Sequence, residues 1–577
     1  MRHWRCKLLE AIITEKMKES IVNATPKMQL GGMPKTAGVE HLVVLKTWMK
    51  EKEMKKEVGI FQTFDMSKFF DKESLTDCMY ALNKKAKIDN KSYRIWFKIN
   101  NKTRLSVKTS VGDSKFYSIR DSIGQGQNAA ALVSSMNIGC AMEDTFKGEF
   151  STKIGEVGIN TVIFQDDIGK LNNTTNDARE GANKIEETLK RKLLSVNYDK
   201  SKYLLFGTEK KLKPMRNELK QQPISMGGTR IEESTSEKYL GDIISNKGCE
   251  DSITETIKER INKLRGKVNE IIQIAEHPLM NSVGNALPAF RLYEAMVIPA
   301  LLHNCESWIG IKNKHYETLQ NFQDNFVRTL LHLPKSTSKA IIQWDTGLMP
   351  MKWRIVKKKL LFTRKVMHEK PYSSLVLRVM LQEFQHHIKG LGYETRQACE
   401  ELGIQNVAFF DIKPWQIKDK INKKVHEETK EDMEKSRKVA DRVTENKEDN
   451  NYISKLTLPL CRIWFRFRAR QIKGVKINFK SSHNNLNCRL CTANVHETQE
   501  HLQMCEGTVF ERRGLERLEV GYWMDVLSFW RRMTVKLVKM KMDKVKKATV
   551  VQDRAHQDEA LSDNNLLSMF HFDLVDE

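Results

Sequence analysis

The chain has 577 residues, 40% hydrophobic and 29% charged, enough for several domains with sizeable cores. No run of about eighteen apolar residues occurs, so no membrane-spanning helix is expected, and the charged, amphipathic N-terminus lacks the apolar centre of a secretion signal. A net charge of +24, from 97 Lys plus Arg against 73 Asp plus Glu, favours a polyanionic partner. Of the ten cysteines, Cys488, Cys491 and Cys505 cluster; the scattered others read as reduced thiols of a nuclear or cytoplasmic, non-secreted protein.

In chain order, residues 5–22 have helical periodicity (Leu8, Ile12, Met17, Ile21), followed by the glycine- and proline-bearing loop TPKMQLGGMPKTAG and a second helix from about 39 to 56. VGIFQTFDMSKFFD then reads as a strand, with Val58, Ile60 and Phe64 on one face and a break at Asp65. Residues 74–87 read as helix and 91–119 as strand-rich. DSIGQGQNAAALVSSMNIG is a turn feeding a small-residue helix. Residues 160–171 read as strand, tight turn and returning strand. Residues 176–194 form an amphipathic helix with Ala178, Ala182, Ile185, Leu189 and Leu193 on one face. Strand signals resume at SKYLLFG and EKYLGDIIS. From about 251 the reading is nearly all helix, with Ile253, Ile257, Ile261, Leu264, Val268 and Ile271 at helical spacing; residues 416–450 are dense in both charge signs, as in a solvated helix or linker.

The sequence NTVIFQDDIGKL places two adjacent carboxylates, Asp166 and Asp167, directly after an apolar run. Strand alternation puts Asp166 on the face of Val162 and Phe164 and Asp167 on the other, while the turn lets both reach one cleft. If Asp65, at the end of its own strand, meets the same sheet edge, the three make an oxygen-lined pocket suited to Mg2+, and two such ions can clamp the attacking and leaving oxygens of a phosphoryl transfer. Taken alone, Asp-Asp is also an ordinary turn pair capping the backbone.

The motifs together resemble the reverse transcriptases of non-LTR (LINE-type) retrotransposons, over roughly residues 5–345 with a second block at about 460–510. FDMSKFFD is similar to the family's first catalytic motif, DSIGQGQNAAAL to its Gln-Gly motif, FQDD to its aromatic-x-Asp-Asp motif, VNYDKSKYLLFG to the following Asn-x-x-Lys-Ser segment, and EKYLGDIISNKG to the hairpin entering the thumb. The resemblance implies a metal-binding triad of Asp65, Asp166 and Asp167. It puts Phe70 at the wall of the sugar pocket, Gln125 and Gly126 along the template and incoming base, and Lys200 near the leaving phosphates. Periodicity equally allows a core Phe70, and Lys200 equally reads as a surface lysine. Where the family carries arginines over the triphosphate, this chain has Met33 and Thr36, with Lys35 the nearby charge. Upstream fingers strands and an endonuclease domain belong to the family's longer proteins, so the chain is expected to be N-terminally truncated, to lack that domain, and to draw on a separate endonuclease.

CRLCTANVHETQEHLQMC supplies soft and borderline ligands at a spacing that fits a closed tetrahedral Zn2+ site: Cys488, Cys491, Cys505 and either His496 or His501. Similarity to the family's C-terminal CCHC knuckle favours His501. Before it, Arg462, Arg466, Arg468 and Arg470 interleave with Trp464, Phe465 and Phe467. This is either a nucleic-acid-binding stretch, with arginines on phosphates and rings on unpaired bases, or an amphipathic helix with its aromatics in the core and its arginines outside.

The resemblance implies an α+β right-hand polymerase fold: partial fingers at 1–57, a palm at 58–245, a helical thumb at 246–345, a helical connector at 346–460, the basic stretch and zinc knuckle at 461–510, and a basic then acidic tail at 511–577. The implied activity is RNA-directed DNA synthesis on an RNA template and a DNA primer, using deoxynucleoside triphosphates and two Mg2+ ions. The alternative is a nucleic-acid-binding protein that keeps the fold with impaired catalysis.

Overall fold

In the computed structural model, the strand Gly59–Met66 (β1) forms the centre of a five-stranded sheet with Thr161–Phe164 (β2), Asp167–Asn172 (β3), Val196–Phe206 (β4) and Glu232–Glu233 (β5), in the order β5-β4-β1-β3-β2. The pairs β1–β4, β1–β3 and β2–β3 are antiparallel, and β4–β5 is parallel. The structure describes residues 4–552 apart from 68, 102, 120–122, 124–127, 279–283, 406–410, 437–438, 441–451, 473–474, 476–485 and 516–522.

Successive side chains of a strand point to opposite faces, and here both faces are covered. Ile60, Phe64, Ile163, Ile168 and Leu205 pack with Ile138 and Met142 of the helix Ala130–Thr145 and with Ala178, Ala182, Ile185 and Leu189 of the helix Thr175–Arg191. Phe61, Val162, Leu171 and Leu204 pack with the helices Gly38–Lys55 and Leu375–Gln385. A strand buried on both sides reads as a continuous apolar run, as YLLF at 203–206 of β4 does.

The chain divides into two compact units: Met1–Val268 with Tyr293–Gln323 and Met349–Glu427, and Asn269–Leu292 with Asp324–Leu348 and Glu428–Glu577. The first holds the sheet. Within it a hairpin of Ser236–Tyr239 and Asp242–Ser245 turns at Leu240 (φ 49°) and Gly241 (φ 87°), both in the left-handed region that two-residue hairpin turns favour. Asp242 is fully buried between Lys46 and Arg260, each 2.5 Å away. The Tyr239 hydroxyl donates to the Val162 carbonyl at 3.3 Å, which ties the hairpin to β2. In the second unit Phe467 of the helix Leu458–Arg468 packs against Trp530 of Trp523–Gln552, with the Trp464 ring beside Phe467 on its other side. Among the described residues no helix is long and apolar enough to cross a membrane.

Some elements differ from the sequence reading. The first helix, Trp4–Ala24, buries Ile13, Met17 and Ile21, whereas Leu8 and Ile12 face outward, one position off the expected stripe. Residues 90–100 are helix rather than strand: Asp89 caps the Ser92 N–H, and the amphipathic pattern buries Trp96, overriding the aromatic, β-branched composition. Leu193 lies past the end of its helix and is exposed.

Glu383 is fully buried; its carboxylate accepts from the Thr47 hydroxyl (2.7 Å) and the Gly392 N–H (2.5 Å), and burial pushes its pKa up to about 7. Folding therefore favours the protonated acid. The stability this gives is complete below the ordinary carboxylate range and is lost as pH rises from about 4.5 to about 7, by about 3 kcal/mol. Glu383→Gln, which mimics the protonated form, should flatten this slope in denaturant unfolding measured at pH 5 and pH 8.

Candidate active site and candidate metal centre

The carboxylate site is built at one end of β1 and at the β2–β3 turn. Phe164 pairs with Asp167, leaving Gln165 and Asp166 as the two turn residues, with Gln165 at φ 58°. Asp65 pairs directly with Asp167 across β1–β3. Directly opposed residues of an antiparallel pair share a face, so Asp65 and Asp167 project from the same side. Strand alternation counted straight through the turn puts Asp167 on the face opposite Phe164. The structure corrects this, because the turn begins at Gln165 and the count across it restarts at Asp167.

All three carboxylates are half-buried. Burial, then repulsion by Asp166 and Asp65, pushes Asp167 up to about 6; burial is also the main cause holding Asp166 above the usual carboxylate range, with Asp65 adding to it. A pocket that penalises its own negative charge is one that a divalent cation would relieve. Three converging carboxylates are hard oxygen donors of the kind Mg2+ takes.

Lys200 reaches this site through an irregularity in β4. Thr63 pairs with Lys202 and Asp65 with Asn197, so two steps along β1 match five along β4. The exposed Lys200 ammonium lies 3.8 Å from the Asp65 carboxylate. Phe70, in the short helix Phe69–Lys72, is half-buried, lies edge-on to Phe69 at 5.1 Å, and packs against two core clusters. Lys35 is exposed, at φ 60°. Near it, Thr36 donates to the Leu30 and Met33 carbonyls at 2.6 and 2.8 Å, and Met33 packs on the core. Gln125 and Gly126 lie outside the described residues.

Two groups around the turn carried no signal in the sequence. His41, fully buried, meets the Phe164 ring edge-on at 6.5 Å, and burial lowers its pKa to about 3, leaving the imidazole neutral. The loop Gln29–Gly32 lies against the turn so closely that a Cβ on Gly31 would stand 2.1 Å from the Gln165 nitrogen.

In the other unit, one ligand atom each from Cys488, Cys491, His501 and Cys505 lies within 4.8 Å of the others. The sulfurs of Cys488 and Cys505 are 3.7 Å apart, and Cys491 Sγ is 3.4 Å from His501 Nε2. A tetrahedron with bonds of about 2.3 Å has edges of about 3.8 Å, so this donor set fits a metal such as Zn2+. A tight reversal, with the Cys488 N–H donating to Val495 O and Glu497 N–H to Leu486 O, presents the first two ligands. Arg489 locks it by pairing with the buried Glu497. The helix Gln499–Met504 supplies His501, whose N–H is capped by Thr498 at 3.1 Å, and Cys505 follows four residues on. Gly507 allows the close approach, since a Cβ there would stand 1.9 Å from Leu490 O. His496 is exposed and outside the cluster.

The interleaved arginines are turned largely inward. Arg468 pairs with Asp345 at 2.7 and 3.0 Å, with side chains only 1% and 0% exposed, and Tyr452 donates to the same carboxylate at 2.8 Å. Arg462 bonds Glu276 and the Leu330 carbonyl, and Arg466 the His332 carbonyl. Burial lowers the Arg466 pKa to about 10. Arg470, at the margin, lies 3.4 Å from Glu500. The aromatics are core, as the amphipathic-helix reading has it, but Arg462, Arg466 and Arg468 turn inward, neither outside as that reading expects nor in a row free for phosphates. Asp345→Ala should cost about 3–5 kcal/mol in denaturant unfolding, because the buried Arg468 guanidinium loses its bidentate counter-charge. Replacing both partners, Asp345→Leu with Arg468→Met, should recover most of it.

No protein-family model and no curated protein sequence matches the chain. Among solved structures it is similar to telomerase from Candida albicans in complex with a TWJ fragment of telomeric RNA, at 11% identity over 76% of this chain and 56% of that one, TM-score 0.32. It is also similar to apo telomerase from Candida tropicalis, at 12% identity over 64% of this chain and 60% of that one, TM-score 0.31. The chain thus matches less than two thirds of the length of these structures, and at such scores fold and function rest on the residues themselves.

Proposed function

We propose that this chain is an RNA-directed DNA polymerase of the non-LTR reverse-transcriptase kind, with a right-hand polymerase fold in which the five-stranded sheet is the palm. The observation that carries the reading is the convergence of Asp65 with the Asp166–Asp167 turn at one sheet edge, from motifs that resemble that family in order and spacing. The reaction is attack of a primer 3′-hydroxyl on the α-phosphate of a deoxynucleoside triphosphate. A P–O3′ bond forms, the α–β phosphoanhydride breaks, and pyrophosphate leaves. Asp65, Asp166 and Asp167 would hold Mg2+, which when bound neutralises developing charge on the transferred phosphate. The chain's own part is to hold three acceptor groups in one place and to offer the Lys200 ammonium beside Asp65. The Cys488–Cys491–His501–Cys505 site would take Zn2+ structurally.

Phe70 is assigned to the wall of the sugar pocket. Phe70→Val should raise ribonucleotide incorporation relative to deoxynucleotide by about tenfold or more, read as the ratio of kcat/KM values. An unchanged ratio would assign the ring to the core alone.

A second reading, a nucleic-acid-binding protein with impaired catalysis, is favoured by one observation: Thr36 spends its hydroxyl on the loop backbone and Met33 packs on the core, so neither offers a charge to a triphosphate. Primer extension separates the two. RNA homopolymers annealed to DNA primers should each direct incorporation of the complementary deoxynucleotide only; salt-sensitive template binding with no incorporation would favour the second reading.

A further inference from the structure

We propose that Gln29 is a positioning residue for the carboxylate turn: its buried carboxamide clamps Gln165 in the left-handed conformation and thereby fixes where Asp166 presents its carboxylate. The inference rests on the polymerase reading only for the role of Asp166.

A two-residue hairpin leaves the N–H and C=O of its first central residue without ladder partners. In this turn both groups belong to Gln165, and both go to one side chain. Gln29 Oε1 accepts from the Gln165 N–H at 3.0 Å, and Gln29 Nε2 lies 3.4 Å from the Gln165 carbonyl. Oε1 also accepts from the Gly31 N–H at 2.9 Å. Two backbone donors on one atom fix the orientation of the amide, since its nitrogen cannot accept. Gln29 is 1% exposed, so water does not replace these bonds. Backbone bonds bring the clamp to the turn: Leu30 N–H donates to Ile163 O at 3.0 Å and Ile163 N–H to Met28 O at 2.8 Å. Gly31 is required for that approach, as the 2.1 Å clash of an added Cβ shows.

The clamp has work to do. Gln165 is a non-glycine residue at φ 58°, a conformation that costs free energy unless its surroundings enforce it. The next residue is Asp166, in a cluster of carboxylates that repel one another. A metal site needs its ligands held to within a fraction of an ångström, and the turn has no glycine to relax into the shape unaided.

The test uses the full chain and Gln29→Met, which keeps the bulk and removes the polar atoms. Two readouts are taken. Hydrogen exchange should show the Gln165 amide slow in the wild type and much faster in the variant. The Mg2+ concentration for half-maximal primer extension should rise about tenfold, as for loss of a group that orients a metal ligand. Adding Gln165→Gly to Gln29→Met should bring the Mg2+ requirement back toward wild type, because glycine adopts positive φ without a clamp. General loosening of the fold would not be repaired by a glycine. An unchanged Mg2+ requirement in Gln29→Met, or a double variant no better than the single one, overturns the proposal. If the wild type extends no primer, the polymerase reading falls, while exchange still decides the clamp: a Gln165 amide that exchanges equally fast in wild type and variant overturns it.

Discussion

Replacing Asp166 by asparagine should remove primer extension and leave the metal-free protein more stable, not less. The two effects have one cause. Asp166 and Asp167 sit half-buried beside Asp65, and burial with mutual repulsion holds both above the ordinary carboxylate range. Neutralising Asp166 relieves Asp167 of its nearest like charge, so the thermal midpoint without Mg2+ should rise. The same change deletes an anionic oxygen that the catalytic ions need. Extension should fall by about three orders of magnitude, equivalent to about 4 kcal/mol of transition-state stabilisation. Template binding should hold, because it depends on Lys and Arg contacts to phosphate. A variant that loses stability together with activity would mark Asp166 as a structural turn residue, the ordinary reading of an Asp-Asp pair.

The second large effect concerns the metal centre. The purified chain should carry one zinc, and Cys491→Ser or a strong chelator should unfold the segment around residues 486–513 locally. Structural zinc contributes about 10 kcal/mol or more to such small modules. Its apolar core is small: of its described residues, only Leu502 and the ligands Cys488 and Cys505 are buried apolar groups. Limited proteolysis read by mass spectrometry should show new cleavage within that segment, with the sheet-bearing unit intact. His501→Ala should release the metal and His496→Ala should not, since only His501 joins the three thiols. Full zinc retention in His501→Ala would reverse that assignment.

Much of the carboxylate site was legible because it is local. The apolar run ending at Asp65 and the hairpin around Asp166 follow from strand period and turn chemistry, and the resemblance joined them. What escaped depends on register or on distant partners. Asp167's face turned on where the two-residue turn begins, a one-position question that inverts every later side chain. The route of Lys200 to Asp65 needs the irregular pairing between Thr63 and Asp65, which no spacing along residues 196–206 announces. Gln29 looked like loop because its partner, Gln165, is far along the chain. The arginines of 462–470 could not be assigned inward without knowing that Glu276 and Asp345 come to meet them. By contrast the ligands Cys488, Cys491, His501 and Cys505 were readable, since metal spacing is set within one short segment.

The most direct test of the central claim, that Asp65, Asp166 and Asp167 form a Mg2+-dependent nucleotidyl-transfer centre, is single-turnover addition of one deoxynucleotide. A DNA primer annealed to an RNA template is mixed with excess wild-type protein, the complementary triphosphate is titrated to saturation, and Mg2+ is varied. The expected product is a primer longer by one nucleotide with release of pyrophosphate; it is absent without Mg2+ and forms about three orders of magnitude more slowly in Asp65→Asn and Asp166→Asn. Addition that persists unchanged in both variants, or no addition by the wild type at any Mg2+ or triphosphate concentration while template binding stays intact, would contradict it.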